Sequence, residues 1–337
     1  MKNTKINLIK LKSNVNINSI EMFHACLKYN AKMAPLVNPE LEKWPIYLDY
    51  WNELVTNKNI YPFKVTATFD QITLVGDYIK SPVKNSNNNR TIFLLHGITN
   101  TRYWIFKQVY LFLQAGYNVV WYDARNHGES DEAATTFGKN ESSDLQDIIN
   151  YIVEKYQPEN IIIYGFSLGS ATVIMWSEIY HKQPNHNNDN IKLLICDSSF
   201  AHLEQSYVEQ INNYSFIPTN LAMKIFHNQI TKMTGFNDLS LLQPIKYLKY
   251  IPKFPVLFLH GQSDRFISYT NSQELYREKI RYEHPIKSKI YLIKEALHGQ
   301  SFLVGDNREA TILDEYNQPQ DKKISELVFD YINQIIK

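Results

Sequence analysis

Only two cysteines, Cys26 and Cys196, occur in a chain of 337 residues. They stand far apart, and Cys196 lies in the apolar run Leu193-Leu194-Ile195-Cys196. That argues against a disulfide framework and for a buried free thiol in a reducing compartment. The chain also lacks an excess of either charge: 35 Lys and Arg face 34 Asp and Glu, a formal net charge of +1. No basic block is interleaved with aromatics, so nothing marks a nucleic-acid surface. No window approaches the roughly eighteen uninterrupted apolar residues of a membrane span. Met1 to Lys12 shows no continuous apolar segment and no small-residue cleavage site. No signal peptide is therefore expected, and the cytoplasm is the expected location. His181 and His186 have no acidic or cysteine partner at ligand spacing, so no metal is expected.

What is present is an ordinary globular composition, 44% hydrophobic and 20% charged, sufficient for a sizeable core. Phe63 to Phe69 alternates apolar and polar residues, and Ile72 to Ile79 pairs with it as a hairpin. Six short apolar runs follow: Thr91 to Leu95, Asn118 to Tyr122, Asn160 to Tyr164, Lys192 to Cys196, Pro255 to Leu259 and Lys289 to Ile293. Continuous apolar runs of this length suit strands buried on both faces of a parallel sheet. Helical patterns separate them, as in Leu145, Ile148, Ile149, Ile152 and Val153 with Pro158 beyond the end. The last helix carries Ile324, Leu327, Val328, Tyr331, Ile332 and Ile335 on one face. The pattern predicts an α/β fold with an eight-stranded, mostly parallel sheet and helices on both faces.

Two regions break this rhythm. Residues 1–60 read as an N-terminal helical extension with Trp44, Tyr47, Tyr50 and Trp51, leaving residues 61–337 as the α/β domain. Residues 200–253 interrupt the strand and helix alternation with Tyr207, Tyr214, Phe216, Leu221, Phe226, Ile230 and Phe236. This insert is too apolar for a free loop and reads as a small helical lid over the C-terminal edge of the sheet. The asparagine-rich stretches 85–89 and 185–190 read as solvated loops.

The most informative motif is Gly165-Phe166-Ser167-Leu168-Gly169, a G-x-S-x-G sequence directly after Ile161-Ile162-Ile163-Tyr164 and before a helical stretch. A strand, sharp turn and helix in succession present a serine hydroxyl clear of the sheet as a nucleophile. The glycines allow backbones to approach where a Cβ would collide. A serine hydroxyl needs a base, and the base needs an orienting carboxylate. Asp264 lies in the loop after the strand Pro255 to Gly261, and His298 in the loop after Lys289 to Ile293. Loops at the C-terminal ends of parallel strands carry function in open α/β sheets. The catalytic residues expected are therefore Ser167, Asp264 and His298. Asp197, Glu295 and Asp306 are weaker candidates for the acid. The oxyanion hole is expected from the backbone N–H groups of Leu168, at a helix N-terminus, and Ile98, after His96-Gly97. His96, at a strand end before glycine, fits a buried structural role better than that of a base.

Taken together, His96-Gly97, the stretch Asp123 to Ser130, the Gly165 to Gly169 turn, Asp197-Ser198-Ser199-Phe200, Asp264 and His298 resemble the α/β-hydrolase superfamily. Within it, the chain looks like the serine-aminopeptidase-like and monoacylglycerol-lipase-like hydrolases. The resemblance implies a lid, no cofactor, and cleavage of a small-molecule ester, thioester or amide. It also implies that Asp123 and Arg125 brace loops. Leu297 and Gln262-Ser263 depart from the usual pattern without removing a triad group. A serine esterase acting on small to medium acyl or aromatic esters is expected. An acyltransferase with the same triad, or a non-catalytic binding module on this scaffold, are the alternatives.

Overall fold

The computed structural model describes residues 44–182, 186–214, 218–252 and 254–336. Residues 1–43 lie outside it, and with them most of the N-terminal extension expected over residues 1–60. From Pro45 onward the chain forms one compact unit.

The alternating segments become an antiparallel entry, β1 (Ile60–Thr66) and β2 (Thr73–Ile79). The short apolar runs become β3 (Arg90–Leu95), β4 (Asn118–Tyr122), β5 (Asn160–Phe166), β6 (Ile191–Asp197), β7 (Val256–Gly261) and β8 (Lys289–Ile293). These six are mutually parallel. All residues of β4 and β7 are buried, whereas β1 alternates buried Phe63 and Val65 with exposed neighbours. Central strands are covered on both faces and edge strands on one, which accounts for the two sequence patterns. Two further strands, β9 (Ile312–Leu313) and β10 (Pro319–Gln320), extend the edge beyond β8 in antiparallel fashion. Among the described residues the sheet therefore has ten strands rather than eight, in the order β1-β2-β4-β3-β5-β6-β7-β8-β9-β10. A strand of two residues is too short to display any periodicity, so the sequence pattern misses both.

Helices cover both faces. One carries α3 (Lys139–Tyr156), α4 (Leu168–Lys182) and α7 (Thr270–Tyr282), whose Leu145, Ile149, Trp176 and Leu275 pack with Phe93, Ile163, Cys196 and Phe258. On the opposite face, Trp121 of β4 meets Trp51 of α1 (Trp44–Thr56) and Phe106 of α2 (Phe106–Gln114). Phe112 of α2 in turn packs on Phe329 of α9 (Ile324–Ile335).

Between β6 and β7 stand α5 (Leu203–Tyr214) and α6 (Thr219–Thr234), followed by two short 3-10 segments. Tyr207 stacks on Phe226, and Phe226, Ile230, Leu239 and Leu242 form a small apolar cluster of their own. Phe216, and the side chain of Tyr214, fall outside the described residues. Among the described residues no helix is long and apolar enough to cross a membrane.

The chain order β3, β4, β5 appears in the sheet as β4, β3, β5, so the connections leave β3 in opposite directions. Such a reversal opens a crevice at the C-terminal strand ends. Leu95 of β3 pairs with Gly165 of β5 there, which sets the His96-Gly97 turn beside Ser167.

Candidate active site

Ser167 joins β5 directly to α4 and holds φ at 53°, in the left-handed region that L side chains avoid. Its backbone is fixed on both sides: the Ser167 N–H donates to the Asp197 carbonyl at 2.8 Å, and the Ala171 N–H donates to the Ser167 carbonyl at 3.0 Å. The two glycines of the motif are required by contact. A Cβ on Gly165 would lie 2.3 Å from the Gly169 carbonyl oxygen, and one on Gly169 would lie 2.5 Å from the Leu95 carbonyl oxygen.

The loops carrying Asp264 and His298 are stitched together at the ends of β7 and β8. Gln262 donates its N–H to the Ile293 carbonyl, Ser263 donates to the Ala296 carbonyl, and Asp264 closes its own turn on Gly261. The three expected side chains converge as a result. His298 Nδ1 lies 2.6 Å from Asp264 Oδ2, and His298 Nε2 lies 3.1 Å from Ser167 Oγ. The imidazole sits between two phenylalanine rings, buried Phe166 at 4.9 Å and exposed Phe266 stacked at 5.6 Å.

The Asp264 side chain is fully buried, which by itself opposes its charge. Hydrogen bonds from His260 and His298 outweigh that burial and hold the carboxyl well below the usual carboxylate range. Its Oδ1 accepts the N–H groups of Phe266 at 2.7 Å and Ile267 at 3.0 Å. Its Oδ2 accepts His298 and also His260, whose Nε2 is 3.1 Å away. His260 was missed by the sequence reasoning, where it is only the last polar residue of an apolar strand.

The weaker acid candidates are occupied elsewhere. Asp197, pushed up by burial, accepts the hydroxyls of Tyr164, Ser198 and Ser301. Glu295 accepts the Thr311 N–H, and Asp306 accepts the Ser325 N–H.

Leu168 opens α4, and Gly97 lies so near the turn that a Cβ on it would approach Ser167 Cβ to 3.2 Å. Among the described residues, neither the Leu168 N–H nor the Ile98 N–H donates to a protein acceptor. Two free donors thus flank the serine. His96 is wholly enclosed: its Nδ1 faces the Gly97 carbonyl at 2.7 Å, and its Nε2 accepts the Ala124 N–H at 3.0 Å. An acceptor at one nitrogen and a donor at the other fix the neutral Nδ1–H tautomer. Burial pushes its pKa down to about 4.

The Asp123 to Ser130 stretch braces these loops. Buried Arg102 pairs with Asp77 at 3.1 Å and also with Asp123 and Glu129. Arg125 forks onto both oxygens of Asp144 and reaches Asp70 at 2.8 Å. His127 Nε2 accepts the Thr99 N–H at 3.2 Å, which steadies the loop carrying Ile98.

Comparison with known proteins gives one family match, to the alpha/beta hydrolase fold, over residues 90–229. YqkD, an uncharacterised protein of Bacillus subtilis (strain 168), is 28% identical over 190 residues, or 56% of this chain. The match spans 60% of the length of that relative. Among solved structures, an esterase from Pyrococcus furiosus superposes with a TM-score of 0.60 at 20% identity, covering 82% of this chain and 92% of the esterase. An acylaminoacyl peptidase from Pyrococcus horikoshii gives 0.56 at 18% identity, covering 85% of this chain and 44% of the peptidase. An esterase from Exiguobacterium antarcticum gives 0.51 at 18% identity, covering 80% and 98%. At these identities the likeness is one of fold.

Proposed function

We propose that this chain, which has the α/β-hydrolase fold, is a serine hydrolase cleaving a carboxylic ester through an acyl-enzyme on Ser167. The observation that carries this reading is the position of His298, within hydrogen-bond reach of Ser167 Oγ on one side and Asp264 Oδ2 on the other. Asp264 accepts the Nδ1 proton and so leaves Nε2 as the acceptor facing the serine. In the first step Ser167 Oγ attacks the substrate carbonyl while its proton passes to His298 Nε2. The negative carbonyl oxygen is met by the Ile98 and Leu168 N–H groups, which have no competing acceptor. His298 then protonates the leaving alcohol, and water deacylates the serine by the reverse sequence.

The insert α5 and α6 acts as the lid in this reading. Its Leu203 packs with Ala171 of α4, Phe200 and Ile267, one turn from the serine and beside the acid. That apolar roof supports small to medium acyl or aromatic esters; thioesters and amides react by the same steps. The buried free thiol of Cys196 supports a reducing compartment.

The deciding experiment is a panel of p-nitrophenyl esters of graded acyl length with aminoacyl amides, run beside Ser167→Ala and a fluorophosphonate probe. The wild-type protein labels at Ser167 and hydrolyses short esters, and Ser167→Ala loses activity by about 10,000-fold with the fold intact. Activity that survives this substitution rules the assignment out. Acyl transfer to an added alcohol or amine in preference to water identifies an acyltransferase instead.

A further inference from the structure

We propose that His260 is a positioning residue for the acid Asp264, an inference that rests on the hydrolytic reading above. His260 is the penultimate residue of β7, opposite Leu292 of β8, and its side chain is fully buried beneath the acid loop. Its Nε2 faces two groups, Asp264 Oδ2 at 3.1 Å and the Ile267 carbonyl at 2.9 Å. Neither group carries a hydrogen when the carboxylate is charged, so Nε2 holds the proton and donates to both. Its Nδ1 lies 2.7 Å from Ser272 Oγ of α7, a hydroxyl that donates to the remaining lone pair. The ring is therefore locked in the Nε2–H tautomer by groups from α7 and from the acid loop.

The consequence falls on Asp264 Oδ2, the same oxygen that accepts His298 Nδ1 at 2.6 Å. The other oxygen is held by the Phe266 and Ile267 N–H groups. Among the described residues four donors thus fix the carboxylate plane, and His260 supplies the one on Oδ2 that does not come from His298. Its bond to the Ile267 carbonyl also holds the Ile267–Ser268 peptide, one residue beyond Phe266, whose ring stacks on His298. Without His260, Oδ2 depends on His298 alone for its direction. Acid and base then wander together relative to Ser167. Substrate binding makes no use of this contact, so the expected loss is in kcat rather than KM.

The test uses the full-length protein and a short p-nitrophenyl ester. His260→Met keeps apolar volume without a donor, and His260→Gln restores an N–H near the place of Nε2. We expect His260→Met to lower kcat by about 100-fold while KM changes by less than about twofold. His260→Gln should recover at least about tenfold of that loss. The low-field proton resonance of the His298 Nδ1–H should broaden or vanish in the Met variant and return in the Gln variant. A folded Met variant with wild-type kcat, or a Gln variant no better than Met, overturns the proposal. If His260→Met does not fold, Ser272→Ala decides: it should lower kcat by about tenfold through loss of the tautomer lock, and an unchanged kcat overturns the proposal. Failure of the wild-type protein to label with fluorophosphonate refutes instead the reading of Ser167, and this inference with it.

Discussion

A Cβ on Gly261 would lie 2.2 Å from the carbonyl oxygen of Ala296, so the strand end before Asp264 and the loop before His298 touch at a point where no side chain fits. This contact sets the spacing of Asp264 and His298 more directly than either side chain does. Gly261→Ala must push the two loops apart or shift a strand end, at a cost of about 1–3 kcal/mol in stability. It should lower kcat/KM by about 100-fold, because a displacement near 1 Å suffices to uncouple an acid from its base. Thermal melts together with ester kinetics check this, and a variant with full activity would show that the loops tolerate the separation.

Ser167 holds φ at 53°, a strained backbone for a residue that carries a side chain. Ser167→Gly and Ser167→Ala both remove the hydroxyl, but only glycine removes the steric penalty of the left-handed region. The glycine variant should therefore be more stable than the alanine variant by about 1 kcal/mol, although glycine costs more chain entropy on folding. Urea melts of the two inactive variants give the comparison directly. Equal stabilities would mean that the surrounding hydrogen bonds, not the side chain, impose this conformation.

His96 contributes a pH dependence whose sign follows from its burial. The folded pKa is pushed down to about 4, whereas an unfolded histidine titrates near 6.5. Between those values the unfolded chain binds a proton that the native protein refuses, so stability falls as pH falls through this window and levels off below it. The slope from this one residue approaches about 1.4 kcal/mol per pH unit. His96→Gln should flatten the stability profile between pH 6.5 and 4, whatever it costs in absolute stability. Denaturant melts of both proteins across that range measure the difference in slope.

Much of the site was written in local patterns. Gly165 to Gly169 after an apolar run specifies the turn that strains Ser167, because strand, glycine contacts and helix start are all local. Asp264 and His298 were legible because each directly follows a strand of recognisable pattern, and consecutive parallel strands place their C-terminal loops side by side. The neutral, enclosed role of His96 was legible from its strand-end position before a glycine.

Other features depend on contacts that local sequence does not encode. The strands β9 and β10 escape any periodicity because two residues cannot show one. Asp197 at the end of β6 and Asp264 just beyond β7 are ranked by their place along the chain, with Asp264 first, but no local pattern shows what separates them physically. The tertiary structure does, by giving Asp197 three hydroxyl donors and Asp264 two imidazoles. His260 looks like an ordinary polar residue at the end of a strand until the fold brings Ser272 and Ile267 to its two nitrogens. The sequence by itself determined the runs that become β1 to β8, the turn at Ser167 and the loops in which Asp264 and His298 lie, since hydrophobic period and glycine spacing act over a few residues. Only the tertiary structure decided which carboxylate meets the imidazole and what holds it there. Hydrogen bonds between distant loops depend on strand order and on ångström-scale packing that no local pattern records.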